Sequence, residues 1–352
     1  MAGRGGGGQQ AGGKASDPTA LVAHPLVFDG LNCASFDRAQ MLNTLRGHVS
    51  AINLTAIRPS SNLAQALLDI NQVWETASGL RDVAAIVTSA EGIIAAHRSG
   101  RVGIVLGAQN SLMFEADLAH IAVFKRLGLR IVQPTYNDAN AFGYGAPFIG
   151  ARDKGITDKG RAWVAEMHAQ KLLIDLSHCG HRTSLDYLAV AKAPVVFSHA
   201  NAFAVCPSPR NKTDDMIRGV ARTGGLIGAV MWSPAVAHAD RPTLDAYLDH
   251  IEHLVKVGGI EHVAFASDVS EGIVEDPVDW ERHWGTHGLY PEVTGLCGPW
   301  YRFHTRHNVH YDSLAHTPRI WDGLRRRGRK PREIEKIMSG NWMRVLRDVW
   351  GE

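Results

Sequence analysis

The sequence predicts an α/β fold, a single (β/α)8 barrel of the TIM type followed by C-terminal helices. Short, nearly continuous apolar runs alternate with segments of helical periodicity along most of the chain. Runs that are apolar on both faces are typical of parallel strands covered by helices. Eight such runs with intervening helices favour a closed parallel barrel. An open doubly wound sheet is less favoured, because no Gly-x-Gly-x-x-Gly motif follows the first run.

The predicted strands share a short, β-branched, apolar composition. They are Val27–Asn32, Ala51–Ile57, Val102–Gln109, Leu129–Tyr136, Leu172–His178, Val195–His199, Leu226–Trp232 and His262–Asp268. Helical spacing between and after them predicts helices over Glu115–Leu127, Asp158–Gln170, Ser184–Lys192, Leu244–Val257, Ser313–Arg327 and Pro331–Val349. Two connections exceed ordinary loops: Asn137–Thr157 is interpreted as a cover for a site, and Ser270–Val309 as a lid or an interface.

The net charge, the cysteines and the lengths of the apolar runs indicate which partners and which compartment to expect. The chain has 352 residues with a formal net charge of +2, so neither nucleic acid nor a membrane surface is expected as a partner. The four cysteines form no CxxC pair, which favours a reducing compartment, and we expect the cytoplasm. No apolar run is long enough to span a bilayer. Residues 1–20, rich in glycine, are predicted to be a disordered tail, and 21–352 to form the barrel.

Polar groups end most of the predicted strands. In a barrel of this kind the active site forms at the carboxyl ends of the strands. Two consecutive strands end in the same pattern, Leu176-Ser177-His178 and Phe197-Ser198-His199. The other strand-end groups are Cys33, Gln109, Tyr136, Trp232 and Asp268. The sequence therefore predicts that these side chains meet at one mouth of the barrel.

Two imidazoles and a carboxylate at one mouth point to metal chemistry. Neutral imidazole and carboxylate are common ligands of zinc and similar divalent ions. Such an ion lowers the pKa of a bound water, and a nearby carboxylate such as Asp268 can transfer its proton. The alternative for each histidine alone is a hydrogen-bonded structural residue, and the matched positions of His178 and His199 favour ligation. The remaining histidines considered are interpreted as structural or surface residues: His181, His262, His304, His307 and His310.

Several segments resemble one known family. Leu173-Ile-Asp-Leu-Ser-His178 is similar to the fifth-strand motif of the membrane dipeptidase (renal dipeptidase) family, peptidase family M19 of the amidohydrolase-like superfamily. Further segments resemble its other motifs in the same order, from Val27 to the C terminus: Gly155 to Gly160, Phe197-Ser-His199 with Arg210-Asn211 and Asp214, Gly259 to His262 with Ala266-Ser-Asp268, and Gly340-Asn341 with Arg344.

The resemblance implies a site with two metal ions, usually zinc, that share a glutamate. By position, His178 and His199 match ligands of the second ion, and Asp268 matches a ligand of the first. Arg210 matches the arginine that binds the substrate carboxylate. The resemblance also implies a homodimer, to which the aromatic Trp280–Tyr301 stretch is expected to contribute.

The chain departs from the family pattern at four positions. The first-strand ligands fall on Leu31 and Cys33, the bridging glutamate on Gln109, and a substrate-contacting histidine on Tyr136. Leucine cannot ligate, and a neutral amide bridges two dications poorly. We therefore expect one divalent ion, zinc, rather than two. Gln109, Cys33, Asp268 or water would complete its shell. The alternatives are an inert buried thiol at Cys33 and a polar plug at Gln109.

The leading hypothesis is a metal-dependent hydrolase that cleaves a small amide, either a dipeptide or an N-acyl amino acid. His178 and His199 would hold the ion, and Asp268 would transfer protons. Arg210, Tyr136 and Asn137 would bind a substrate that carries a carboxylate, and Tyr136 would also donate to the developing oxyanion. The alternative hypothesis is a non-catalytic or non-hydrolytic descendant of the dipeptidase barrel that serves as a ligand-binding module.

Overall fold

The computed structural model describes residues 24–351. The predicted tail, 1–20, lies outside the described residues. Nine strands occur in the described range: β1 (Phe28–Asn32), β2 (Ala51–Ile57), β3 (Ala84–Ile86), β4 (Val102–Ala108), β5 (Leu129–Val132), β6 (Leu173–Ile174), β7 (Val196–Phe197), β8 (Leu226–Val230) and β9 (Val263–Ala266). The short β3 was not predicted, because three residues carry no readable periodicity.

The strands form two curled sheets in which every pairing is parallel. The first sheet has the order β1-β2-β4-β5-β6, with β3 beside the start of β4, and the second has the order β7-β8-β9. Single parallel bridges join the two sheets, Asp175 with Val196 on one side and Asn32 with Val269 on the other. The predicted parallel α/β fold is confirmed. One continuous ladder of eight strands is not formed by the described residues.

Two buried aspartates occupy the seams between the sheets. At the β1–β9 seam, Asp29 accepts hydrogen bonds from the backbone N–H and the hydroxyl of Ser267, at 2.7 and 2.6 Å. At the β6–β7 seam, Asp175 accepts from both groups of Ser177 (3.0 and 2.5 Å) and of Ser198 (2.9 and 2.6 Å). Gln133 adds a further hydrogen bond to Asp175 at 2.7 Å. Side-chain hydrogen bonds therefore supplement the few backbone hydrogen bonds that join the sheets at the seams.

These hydrogen bonds explain why several predicted strands are too long. The strands predicted to end at Tyr136, His178 and His199 end instead at Val132, Ile174 and Phe197. Beyond Ile174 and Phe197, backbone N–H groups bond to Asp175 or to a serine hydroxyl, which competes with the ladder. The predicted site residues consequently lie on the loops that follow the strands.

Helices connect the strands and cover the sheets. They are α1 (Arg38–Arg46), α2 (Leu63–Ser78), α3 (Ala90–Arg98), α4 (Ala119–Arg126), α5 (Asp158–Ala169), α6 (His181–Val190), α7 (Asp214–Arg222), α8 (Ser233–Val236), α9 (Leu244–Gly258), α10 (Pro277–Trp284), α11 (Pro291–Thr294), α12 (Pro318–Arg326), α13 (Pro331–Glu335) and α14 (Asn341–Trp350). The helix predicted from Glu115 starts at Ala119, since Glu115 and Ala116 have positive φ angles of 49° and 60°. The last predicted helix is divided by a π-helical turn, Lys336–Gly340.

The closing helix α14 packs against the amino-terminal side of both sheets. The Trp342 indole donates to the carbonyl of Phe265 at 3.3 Å, and its ring lies 5.0 Å from that of Phe28. The apolar side chains of α14 belong to a buried cluster that includes one residue from each strand except β3. These residues are Phe28, Ala51, Val105, Ile131, Leu173, Val196, Leu226 and Ala264. This packing closes the side opposite the predicted site. None of the helices in 24–351 combines the length and apolarity needed to cross a membrane.

The seam at Asp175 yields a stability prediction. Asp175→Ala removes the acceptor of five buried hydrogen-bond donors, so the free energy of unfolding should fall by at least about 3 kcal/mol. Urea unfolding measures this change. Asp37→Ala is the matched control, because Asp37 is an exposed N-cap of α1 and its loss should cost about 1 kcal/mol. Equal losses in the two variants would contradict the role given to the seam.

Candidate active site

A cavity of about 250 Å³ opens at the carboxyl ends of the strands. Most of the predicted site residues line it: Cys33, Gln109, Tyr136, Asn137, His178, Arg210 and Asp268. His199, fully buried, lies beside His178 with the two ring centroids 5.1 Å apart. The loops after the strands thus bring the predicted residues to one mouth.

Hydrogen bonding determines which nitrogen of each histidine carries the proton. The Nδ1 atom of His178 lies 2.8 Å from the amide oxygen of Asn137, which can only accept, so Nδ1 is the donor. The hydroxyl of Ser198 donates to Asp175, so it accepts from Nδ1 of His199 at 2.7 Å. Both rings are therefore protonated at Nδ1 and keep the lone pair of Nε2 free.

The same two rings are neutral. Burial, reinforced by the positive charge of Arg210, holds the pKa of both His178 and His199 well below the ordinary value. The Nε2 atom of His199 is buried and has no hydrogen-bond partner among the described residues. A neutral imidazole oriented through its Nδ1–H group is the form that ligates a metal. The pair therefore fits two positions in the shell of one divalent ion.

The remaining predicted ligands do not join the histidines. Cys33 Sγ donates to Oδ1 of Asp268 at 3.6 Å, and Nε2 of Gln109 donates to Cys33 at 3.3 Å and to Thr55 at 2.9 Å. Within residues 24–351, no group of three or more His, Cys, Asp or Glu side chains could hold an ion. In this arrangement Cys33 and Asp268 bond to one another, and the expectation that they complete the shell stays a prediction. A two-ion centre does not fit.

The side chains of Gln109 and Cys33 are both uncharged in the cavity. The Gln109 amide turns its nitrogen towards Cys33 and Thr55, which matches a polar plug rather than a ligand. Burial and the nearby Asp268 carboxylate raise the pKa of the Cys33 thiol, so it stays protonated. The apolar side chain of Leu31 is buried and offers no ligand. Its backbone carbonyl accepts a hydrogen bond from the N–H of Asp268 at 3.0 Å.

Asp268 has two unusual properties. Its φ angle of 51° lies in the left-handed region, which costs energy for a residue other than glycine. Burial raises its pKa to about 7, and the charge of Arg210 opposes that shift. A carboxyl group with this pKa exchanges its proton near neutral pH, as a general acid or base must.

Two buried cations lie beside the histidines. Arg210 is 4% exposed, and its guanidinium donates to the backbone carbonyl of Ser177, which leaves further N–H donors beside the cavity. Lys212, which the sequence reasoning missed, is fully buried, and its Nζ donates to the carbonyl of Cys179 at 3.0 Å. Burial lowers the pKa of Lys212 to about 7. The only sequence signal for Lys212 is its position next to Arg210-Asn211.

A tyrosine ring and an amide contact His178. The Tyr136 ring stacks on the ring of His178 with centroids 4.1 Å apart, and burial raises the pKa of Tyr136, so its hydroxyl remains a donor. Asn137, whose oxygen orients His178, also hydrogen-bonds Tyr290. Tyr290 belongs to the segment 270–309, called here the outer segment, which supplies much of the cavity wall. His307 lines the cavity as well, in contrast to its prediction as a structural or surface residue.

Two of the predicted structural histidines bond to backbone carbonyls. Nε2 of His181 lies 3.0 Å from the carbonyl of Asn211, and Nδ1 of His262 lies 2.7 Å from that of Gly225. Neither lines the cavity. Their contacts agree with the structural interpretation.

Comparison with known proteins identifies the family. The model of the membrane dipeptidase family (Peptidase family M19) matches residues 34–294. The chain belongs to this family. The predicted resemblance is confirmed, and homology to dipeptidases points to a metal-dependent hydrolase.

Several relatives share this fold. The chain is 30% identical to an amidohydrolase from Pseudomonas aeruginosa of known structure, with a TM-score of 0.84 over 95% of this chain and 99% of that one. A metallopeptidase from Rhodobacter sphaeroides, solved with a phosphinate mimic of the dipeptide L-Ala-D-Ala, has the same fold at 20% identity, with a TM-score of 0.73 over 93% and 99% of the two chains. An uncharacterised dipeptidase of Schizosaccharomyces pombe is 36% identical over 54% of this chain, a match that spans 47% of that protein.

The cluster of Cys33 and Asp268 yields a reactivity prediction. Asp268→Asn removes the negative charge beside the thiol, which should lower the pKa of Cys33 by about one unit and speed its alkylation about tenfold at pH 8. Mass spectrometry of the Cys33 peptide after iodoacetamide treatment measures the rate. Asp82→Asn, at an exposed position, should leave the rate unchanged. An unchanged or slower rate in Asp268→Asn would contradict the assigned contact.

Proposed function

We propose that the protein is a metal-dependent hydrolase that cleaves a small amide bearing a carboxylate and uses one divalent ion, zinc, held by His178 and His199. The observation that carries the proposal is the pair of neutral imidazoles, each protonated at Nδ1, with free Nε2 lone pairs beside the cavity. An ion bound there would polarise the amide carbonyl and lower the pKa of a water molecule. Membership of the dipeptidase family supports this assignment.

The other cavity residues have separate roles in this proposal. Arg210 binds the substrate carboxylate, for which a guanidinium is well suited. Asp268, with a pKa of about 7, takes a proton from the attacking water and passes it to the leaving amine. Tyr136 donates a hydrogen bond to the carbonyl oxygen as negative charge develops there. Asn137 orients His178 through Nδ1.

The scaffold in this proposal is a closed (β/α)8 barrel. Two observations support closure: the parallel bridges at both seams and the apolar cluster that gathers one residue from each of eight strands under α14. Closure explains why groups from strands distant in sequence share one mouth.

Metal content tests the proposal directly. The purified protein should retain about one equivalent of zinc after reconstitution, and His178→Ala or His199→Ala should lose it, because each removes one of the two imidazole ligands. Elemental analysis after removal of free metal gives the stoichiometry. His181→Ala is the matched control, since the Nε2 atom of His181 bonds to a backbone carbonyl outside the cavity.

Activity provides the second half of the test. The zinc-loaded protein should hydrolyse a carboxylate-bearing small amide, and Arg210→Ala or Asp268→Ala should abolish or strongly reduce turnover. Turnover that persists in both variants would contradict the roles given to these residues. Zinc bound equally well by the histidine variants would contradict the metal site.

A further inference from the structure

The cavity has two chemically different ends. Its inner end carries the charged and polar groups already described, with Arg210, Asp268 and His178. Its outer wall is aromatic and comes mainly from the outer segment. The rings of that wall are Trp232, Trp280, Trp284, Tyr290 and Tyr301, and only Trp232 lies outside residues 270–309. A ligand that fills the cavity must therefore present a polar end and an apolar end.

The aromatic wall has a packed support of its own. Trp280 lies 5.3 Å from Tyr301 and belongs to a small buried cluster separate from the main core. Trp284 lies 5.3 Å from Tyr290. Tyr301 hydrogen-bonds Trp232 on the loop after β8, and Tyr290 hydrogen-bonds Asn137 on the loop after β5. These contacts hold the rings over the mouth, so the wall is ready to receive a planar group.

Charged side chains flank the rings of the wall. Two carboxylates line the cavity within the described residues, Asp268 and Glu275. Glu275 lies 3.8 Å from the guanidinium of Arg306, which is itself placed 4.0 Å over the ring of Phe303. Asp268 lies at the inner end, beside Cys33. The Oε2 atom of Glu275 is buried and has no hydrogen-bond partner among the described residues, so the outer end also holds a carboxylate oxygen that can accept from a substrate N–H group.

We infer that the substrate is a small amide with a free carboxylate whose acyl side carries an aromatic ring. This inference rests on the proposed function and names its substrate class. The substrate carboxylate lies at Arg210, the amide lies near His178 and Asp268, and the ring lies against Trp284 and its neighbours. Hydrolysis breaks the amide C–N bond, adds water to the carbonyl carbon and transfers a proton to the amine, releasing an aromatic acid and an amino acid. The cavity volume of about 250 Å³ suits a small substrate of this kind.

Two related compounds test the inference. N-benzoylglycine carries the ring, and N-acetylglycine lacks it. Binding of each is measured by quenching of tryptophan fluorescence in chelator-treated protein, and turnover is measured in zinc-loaded protein. N-benzoylglycine should bind about ten- to a hundredfold more tightly than N-acetylglycine, because it buries an aromatic ring.

Variants locate the effect at the wall. Trp284→Ala should weaken binding of N-benzoylglycine about tenfold, and Trp284→Phe should restore most of it, because it keeps a ring. Trp74→Ala is the matched control at a surface tryptophan of α2 that is 45% exposed, and it should bind like the parent. Unchanged binding in Trp284→Ala, with the fold verified by circular dichroism, would overturn the role of the wall.

Different results would contradict the hydrolase activity and the substrate class. Selective binding of N-benzoylglycine without turnover would support the substrate class and contradict hydrolysis. Turnover of N-acetylglycine at the same efficiency as N-benzoylglycine would keep the hydrolase and overturn the aromatic preference.

Discussion

Two buried carboxylates determine both how the sheets join and how the site is arranged. Asp29 and Asp175 lie at the two seams, and each accepts the backbone N–H and the hydroxyl of serines from the strand ends. Every one of these serines directly precedes a site residue: Ser177 before His178, Ser198 before His199 and Ser267 before Asp268. The hydrogen bonds that connect the sheets therefore also place the chemical groups. A change at either aspartate is expected to disturb fold and site together.

The same network accounts for the protonation states in the cavity. Asp175 takes the only proton of the Ser198 hydroxyl, so Ser198 must accept from His199, and the Nε2 lone pair of His199 is left free. On the opposite side of the mouth, neutral Cys33 and Gln109 replace charged ligands and bond to Asp268 and Thr55. A second dication would meet uncharged groups there, beside the buried guanidinium of Arg210. The electrostatic balance thus favours one ion at the histidines.

Sequence reasoning predicted the elements that depend on local pattern. Ala51–Ile57 matches its strand at both ends, and the repeated Ser-His ending of two strands correctly placed His178 beside His199. It did not predict that strands end early at Asp175, because that outcome depends on side chains bonding across the seam. The left-handed backbone of Asp268 was not predictable either, nor was the position of each ring in the outer wall, although residues 270–309 were interpreted as a lid or an interface. Both result from contacts between segments far apart in sequence, which hydrophobic periodicity does not encode.

In the proposed function, His178 and His199 together hold one ion through their Nε2 atoms. Anomalous diffraction at the zinc edge, from crystals grown with zinc, tests this claim most directly. The account predicts a single strong peak about 2.0–2.1 Å from both Nε2 atoms, with Nδ1 of each ring still bonded to Asn137 or Ser198. A second peak between Asp268 and Cys33, or a peak remote from both imidazoles, would contradict it.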